Sequence, residues 1–354
     1  MSGSGVRRRF LVGRARLAAV AAVGAILGLP ATLAPAQAQT PVRFTLDWRW
    51  EGPAALFSVA LDKGYFKAEG LDVTIDPAAG SREPISRVAA NTYDIGFGDV
   101  NSLVRFRDEN PTTDVKAVMV VYDRPPFAIV GRKSRGITTE LSSLAGKKFG
   151  APAADGAFAQ WPILKAVNKI DDSTMRFENV GFPVREPMLA QGEVDAVFGF
   201  AMSSFINLKA RGVAAEDIVV LPMSNYGVDL YGNVIMVSPK FLAEKPEAVK
   251  GFLRALVKGI RDTVADPSSA VDSVLRRNDV AKKEVELERL RMVLEQNVVT
   301  PWVKQNGVGG IDRDRFARAL EQIGLTFTYK KKPAVEDIFT EAYLPPAAER
   351  KITP

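Results

Sequence analysis

The chain contains no cysteine and no histidine in 354 residues. Disulfides, thiolate chemistry, zinc sites built on sulfur or imidazole, and every Ser-His or Cys-His mechanism are thereby excluded. An all-oxygen calcium or magnesium site stays open, but no phrase calls for one, and neither a metal nor a cofactor is expected. Surplus charge is also scarce. The net charge of +6 comes from 47 basic and 41 acidic residues, and five of the basic ones (Arg7, Arg8, Arg9, Arg14, Arg16) stand in residues 1–38, which hold no acid. The remainder carries 42 basic against 41 acidic residues. A nucleic-acid partner needs a concentrated basic surface, and outside the first 38 residues the longest basic run is Lys330-Lys331-Lys332, which reads as a solvated turn. With 47% hydrophobic and 25% charged residues, the composition is that of a folded globular protein of one large or two ordinary domains.

What is present begins with an address. Residues 7–38 run from a basic start through the apolar stretch Leu17–Leu33 to Ala36-Gln37-Ala38, an A-x-A pattern that places cleavage before Gln39. The stretch is rich in Ala and Gly and broken by Pro30, which favours a cleavable export signal over an anchoring helix. Arg7-Arg8-Arg9-Phe10-Leu11 also fits a twin-arginine pattern. The remaining 316 residues suffice for a core without disulfides, and a periplasmic monomer is expected.

From residue 42 the chain alternates strands and helices. Val42–Leu46, Leu71–Ile75, Tyr93–Phe97 and Val115–Val121 read as strands, with helices opening at Gly52-Pro53 and at Gly80-Ser81-Arg82-Glu83-Pro84. Residues 123–135 change character, and Phe127–Val130 reads as a strand crossing into a second lobe. There Lys148–Ala151, Arg176–Val180, Asp195–Phe198 and Val219–Leu221 are strands, and Tyr231–Val237 crosses back. The stripe Val249, Phe252, Leu253, Leu256, Val257, Ile260 predicts a packed amphipathic helix. One phrase occurs in both halves: Asn91–Gly98 (NTYDIGFG) is echoed by Gly192–Gly199 (GEVDAVFG). The expectation is an α/β protein of two lobes joined by two crossing strands around a central cleft: residues 39–126 plus 232–354 in lobe 1, residues 127–231 in lobe 2.

Several phrases resemble, in order, those of the NMT1/THI5-like substrate-binding proteins of ABC importers, the nitrate/sulfonate/taurine and thiamine-pyrimidine group. They are Leu46-Asp47-Trp48, Ala60–Val73 (ALDKGYFKAEGLDV), Gly80-Ser81, Asp94–Asp99, Leu144–Gly150 and Gly192–Ala196. The resemblance spans about residues 42–240. It implies a type II periplasmic-binding fold that closes on a small molecule and docks on a membrane permease. The sequence departs from the thiamine-pyrimidine members after the Asp-Trp, where Arg49-Trp50-Glu51 replaces a Pro/Asn/His-rich segment, so the resemblance reaches the fold more directly than the ligand. The related fungal pyrimidine synthase depends on histidine and cysteine, which this chain lacks.

In open α/β sheets ligands sit outside the carboxyl ends of the strands. Four such ends supply candidates: Trp48, Trp50 and Glu51; Ser81 and Arg82 beside Glu83; Asp99 and Asn101; and Asp155, Gly156 and Phe158. Trp48 and Trp50, as alternate residues of an extended segment, would share a face and could wall a flat ligand, or pack in the core. Ser81 and Asp155 serve equally as helix caps. Phe200 adds an aromatic, with core packing the alternative. Asp229 and Tyr231 are placed on the cleft floor, with Gly227 and Gly232 as hinge points. Glu51, Glu83, Asp99 and Asp155 bias the cleft towards an amine or amino-heterocycle of the thiamine-pyrimidine kind; Arg82 argues instead for a sulfonate or nitrate. No nucleophile–base pair stands in a recognisable catalytic phrase, so a binding protein is expected. An enzyme on the same scaffold and a sensory subunit are the competing readings.

Overall fold

The computed structural model describes residues 38–352, so all of the export signal expected at 1–38 except its last residue lies outside the described residues. Four strands, β1 (Thr40–Thr45), β2 (Leu71–Asp76), β3 (Ile95–Asp99) and β4 (Lys116–Val120), open the chain. Five more follow: β5 (Phe127–Arg132), β6 (Lys148–Gly150), β7 (Arg176–Glu178), β8 (Ala196–Phe200) and β9 (Ile218–Pro222). The last, β10 (Asn233–Val237), returns to the first set. Two five-stranded sheets result, in the orders β2-β1-β3-β10-β4 and β7-β6-β8-β5-β9. The orders are the same in kind. In each, the central strand pairs are parallel on one side, and one antiparallel strand is inserted beside the edge: β10 against β3 and β4, β5 against β8 and β9. The architecture is two α/β lobes, as the alternation predicts.

The apolar segment Phe127–Val130 is therefore not itself the crossing. It is an inner strand of the second sheet, buried along Phe127–Gly131, which explains why it reads as a continuous apolar run. The crossings are the segments on either side, residues 121–126 and 223–232. The echoed phrase has a physical cause. Asp94 and Asp195 precede β3 and β8, the middle strands of the two sheets. Each accepts from the backbone N–H that opens or lies within the neighbouring strand, Arg43 N at 2.8 Å and Lys148 N at 3.0 Å. Each also binds an arginine, Arg43 at 3.0 Å and Arg135 at 3.1 Å.

The predicted amphipathic stripe lies on helix Pro246–Ala265, where Val249, Phe252, Leu253, Leu256 and Ile260 are fully buried. Phe252 meets Phe44 of β1 edge-on, with centroids 5.2 Å apart, so the helix seals one face of the first sheet. Further on, helix Arg313–Gly324 fastens both crossings. Arg315 donates to Asp123 Oδ1 at 3.1 Å, to the Asp123 carbonyl at 2.8 Å, to the Leu230 carbonyl at 2.7 Å and to Asp229 Oδ1 at 3.0 Å. Its guanidinium also lies 4.1 Å from the centre of the Tyr231 ring.

Removing Arg315 strands Asp123, which is nearly buried, with only the Thr300 hydroxyl as a hydrogen-bond partner. Arg315→Ala is expected to cost about 2–4 kcal/mol, seen as a fall in Tm of at least about 5 °C by calorimetry. Arg318→Ala, whose exposed side chain reaches Asp229 only at 3.4 Å, should move Tm by less than about 1 °C.

Candidate ligand cleft

Between the lobes runs a cleft lined from the first lobe by Leu46, Asp47, Trp48, Arg49, Glu51, Pro53, Ala54, Phe57, Gly80, Ser81 and Tyr122, and from the second by Asp155, Gly156, Phe182, Arg185, Phe200, Met202 and Ser203. It holds about 610 Å³ counted out to the mouth, and the space between the lobes is a narrow slot. The lobes meet closely at one edge. A Cβ on Gly156 would lie 2.3 Å from Ser81 Oγ, so only glycine permits this approach.

Of the residues singled out in the sequence, Trp48, Glu51, Ser81, Asp155, Gly156 and Phe200 line this cleft. Seven others do not. Residues 47–50 form bends instead of a continued strand, so Trp48 and Trp50 do not share a face. Trp50 turns to the helical tail, under Arg277 at 5.2 Å, while its carbonyl accepts from Asn278. Arg82 points away and donates to the Ala153 carbonyl at 2.9 Å. Asp99 is fully committed as the cap of helix Val100–Glu109, accepting from Asn101 N and Ser102 N, and also takes Gln160 Nε2 from the second lobe at 3.0 Å. Asn101 is spent on Asp99 and on the Tyr231 carbonyl. Phe158 packs against Phe198, centroids 5.1 Å apart. Asp229 pairs with Arg315 and Arg318 outside the cleft. Tyr231 is buried below, its hydroxyl accepting from Asp312 N at 2.8 Å. Ser81 is not a cap: its buried hydroxyl has no partner, and the Glu83 carboxylate takes Ala79 N instead.

Tyr122, Phe182 and Arg185 were not anticipated. All follow the carboxyl ends of β4 and β7, so the strand-end rule, applied to those two strands as well, finds them. Arg185 is 3% exposed and its guanidinium is fully engaged. It donates to Asp155 Oδ2 at 2.8 Å and to Glu186 Oε1 at 2.6 and 2.8 Å. Burial alone would lower the Arg185 guanidinium and raise Glu186, but the pairing outweighs it in both, and the ion pair stays charged. Gly199 leaves space for this group, since a Cβ there would come within 3.1 Å of the guanidinium carbon.

The first lobe contributes the opposite situation. Asp47 is deeply buried, bonded to Asn233 Nδ2 at 2.8 Å, with no cation beside it, and burial lifts its carboxyl to about 7. Burial likewise raises Glu51, against the pull of Arg289. Glu51 Oε2 and Trp48 Nε1 are both buried and neither makes a well-formed hydrogen bond among the described residues, although the indole N–H is near enough to the Glu51 carboxyl to favour its charged form. Trp48 meets Phe182 edge-on across the lobes at 4.8 Å, beneath Arg49 at 5.0 Å. The arrangement offers an aromatic wall, an unpaired acceptor, an unpaired indole donor and an unpaired hydroxyl. Its one deeply buried arginine is already neutralised.

This fold is that of two-lobed binding proteins. The alkanesulfonate-binding protein SsuA of Xanthomonas axonopodis pv. citri, bound to MOPS, superposes with a TM-score of 0.64 at 12% identity over 87% of this chain and 98% of that one. The family described as NMT1/THI5 like matches residues 54–270, and the chain belongs to that family. It is 26% identical to the riboflavin-binding protein RibY of Chloroflexus aurantiacus over 82% of each chain. It is also 26% identical to the formylaminopyrimidine-binding protein of Halalkalibacterium halodurans, over 86% of this chain and 91% of that one. Enzymes occur among its relatives too: the 4-amino-5-hydroxymethyl-2-methylpyrimidine phosphate synthase THI13 of Saccharomyces cerevisiae is 26% identical over 65% of this chain and 68% of its own.

The burial of Asp47 sets an expected pH dependence of stability. The folded state keeps a proton that the unfolded chain releases above its ordinary value of 3.8, so the cost is absent in acid, grows as the pH rises through this window and is complete above about 7. Asp47→Asn, which keeps an acceptor for Asn233, should match the parent near about pH 4 and be more stable near about pH 8, by at most about 4 kcal/mol, as read by denaturant unfolding. A variant less stable than the parent at the higher pH would show that Asp47 is ionised and paired.

Proposed function

We propose that the chain is the solute-binding component of an ABC-type importer, exported by a cleaved leader, that holds a small flat amino-heterocycle between its lobes and delivers it unchanged to a membrane permease. In this reading residues 39–126 and 232–354 move as one lobe and residues 127–231 as the other. One observation carries the choice of ligand: the cleft presents a buried carboxyl with an unbonded oxygen, while the charge of its buried arginine is already balanced by Asp155 and Glu186. Glu51 supplies an acceptor for an N–H, while an oxyanion would face Asp47 and Glu51 and an arginine, Arg185, whose charge Asp155 and Glu186 already balance. A ring between Trp48 and Phe182 with an amino group towards Glu51 would gain aromatic contact from both lobes, an acceptor for its amino group, and a donor in Ser81 Oγ for a ring nitrogen. The relatives named for formylaminopyrimidine and riboflavin support a nitrogen heterocycle. The narrow slot favours a single ring over a flavin unless the lobes open further.

A binding protein is preferred to an enzyme because no group in the cleft is poised as a nucleophile with its base. Closure follows from contacts made by both lobes to one ligand, which shift the population from open to closed. The named relatives and the family support this reading without extending their ligands to this chain.

Calorimetry with 4-amino-5-hydroxymethyl-2-methylpyrimidine, riboflavin, an alkanesulfonate and nitrate tests the choice. The aminopyrimidine is expected to bind most tightly and to be recovered intact by mass spectrometry. Trp48→Ala should weaken it by at least about 30-fold, the size of a lost aromatic anchor. Arg82→Ala should change it by less than about threefold, because Arg82 lies outside the cleft. Tightest binding of the sulfonate or nitrate overturns the ligand, and recovery of an altered compound overturns the transport role.

A further inference from the structure

Glu51 reaches the cleft from the first lobe and Ser203 from the second. Behind both, outside the cleft wall, lies a single buried cation, Arg289 of helix Lys283–Val293. Its Nη1 stands 3.4 Å from Glu51 Oε2 and 3.4 Å from the Ser203 carbonyl. Its Nη2 donates to Asn207 Oδ1 at 3.2 Å, and its Nε to Glu286 Oε2 at 3.0 Å. Glu286 is held in turn by Gly52 N at 2.5 Å. The guanidinium is thus fixed by its own helix, by the segment that carries Glu51, and by helix Ala201–Lys209 of the second lobe.

Arg289 leaves Glu51 with something to give. The two are close enough to attract, yet Glu51 Oε2 makes no well-formed hydrogen bond to it or to any other group among the described residues, the Trp48 indole N–H being its other near neighbour. A buried carboxyl has two chemical identities: protonated, it donates; ionised, it only accepts. Which one faces the ligand decides which ligand fits. The charged and titratable groups around Glu51 are Asp47 and Arg49 on its own segment, Glu286 and Arg289 on the tail helix, and Arg185 on the second lobe. Glu286 and burial favour the proton, while Arg289 is the strongest opposing influence.

We infer that Arg289 is a specificity-determining positioning residue: from behind the wall it keeps the Glu51 carboxyl, which lines the cleft, a hydrogen-bond acceptor, so that the site demands an amino N–H and rejects a ring that offers only acceptors. This rests on the transport reading given above and deepens it. The contacts to Ser203 and Asn207 add a consequence. The acceptor is held from both lobes, so its final position depends on their being together.

The test compares two probes, 4-amino-5-hydroxymethyl-2-methylpyrimidine and the same ring without its 4-amino group, against the full mature protein by calorimetry. The parent is expected to prefer the amino compound by on the order of 100-fold or more, since the deamino ring leaves a buried charged acceptor unpaired. In Arg289→Gln the ratio should fall to within about tenfold, and the deamino ring should bind more tightly as the pH falls. Arg289→Lys, which keeps the charge, should restore the preference even where both affinities drop. A purely structural role would weaken both probes alike and leave the ratio and its pH dependence unchanged, and that result overturns the inference. Should Arg289→Gln fail to fold, carbon-13 NMR of glutamate-labelled parent, with Glu51 assigned by its loss in Glu51→Gln, reads the same point: the carboxyl signal must be that of an ionised group near neutrality, and a protonated one overturns the inference. If the parent binds neither probe, the heterocycle reading itself falls, a result distinct from binding with unaltered discrimination.

Discussion

The cleft depends on carboxyl groups that burial penalises and that only some of the surrounding cations relieve. Taking a carboxylate out of water costs several kcal/mol unless a partner or a proton compensates. The two lobes answer this differently. The second lobe closes its account internally: Asp155 and Glu186 share Arg185, and Ser204 adds a hydrogen bond at 2.8 Å to Glu186. The first lobe leaves Asp47 without a cation and Glu51 with an unbonded oxygen. A rigid, finished surface therefore faces an unfinished one, and the missing partners define what the cleft can receive. Stability is sacrificed where binding needs an open valence, the usual compromise at a preorganised site.

The aromatic groups complement this electrostatic arrangement. Trp48 and Phe182 come from opposite lobes and touch edge-on, so an aromatic contact spans the cleft. Ser81 and Gly156 meet beside them at a separation that only a missing side chain allows. Closure is thus shaped at one edge by backbone contact, independently of any charge, while the tail helices steady the rest through Arg315 and Arg289.

Much of this was legible in the sequence. Strand and helix periodicity located the two α/β halves, and the echoed phrase proved to occupy equivalent strands fastened by Asp94 and Asp195. Of the residues that the strand-end rule singled out, Trp48, Glu51, Ser81, Asp155 and Gly156 line the cleft, as does Phe200, singled out as an aromatic. What it could not supply was side-chain direction. Trp50 follows Trp48 by two residues but lies beyond a bend, and Asp99 and Asn101 stand at a strand end yet are consumed by capping and by a contact between lobes. Arg185 hid inside a helix interrupted by Pro187, with no amphipathic pattern to announce a buried charge. The roles of Arg289 and Arg315 depend on contacts with segments more than 80 residues distant, which no local pattern carries.

The order of strands has a consequence for how the molecule is made. The second sheet is built from one uninterrupted stretch, β5 to β9, whereas the first waits for β10 to slot between β3 and β4. A chain emerging from the ribosome can finish its inner half while the outer half still shows two unsatisfied edges, each a template for mispairing with another nascent copy. Assembly from the middle outward makes the last inner strand the closing stitch, and leaves the interval before it as the time when a chaperone has most to protect.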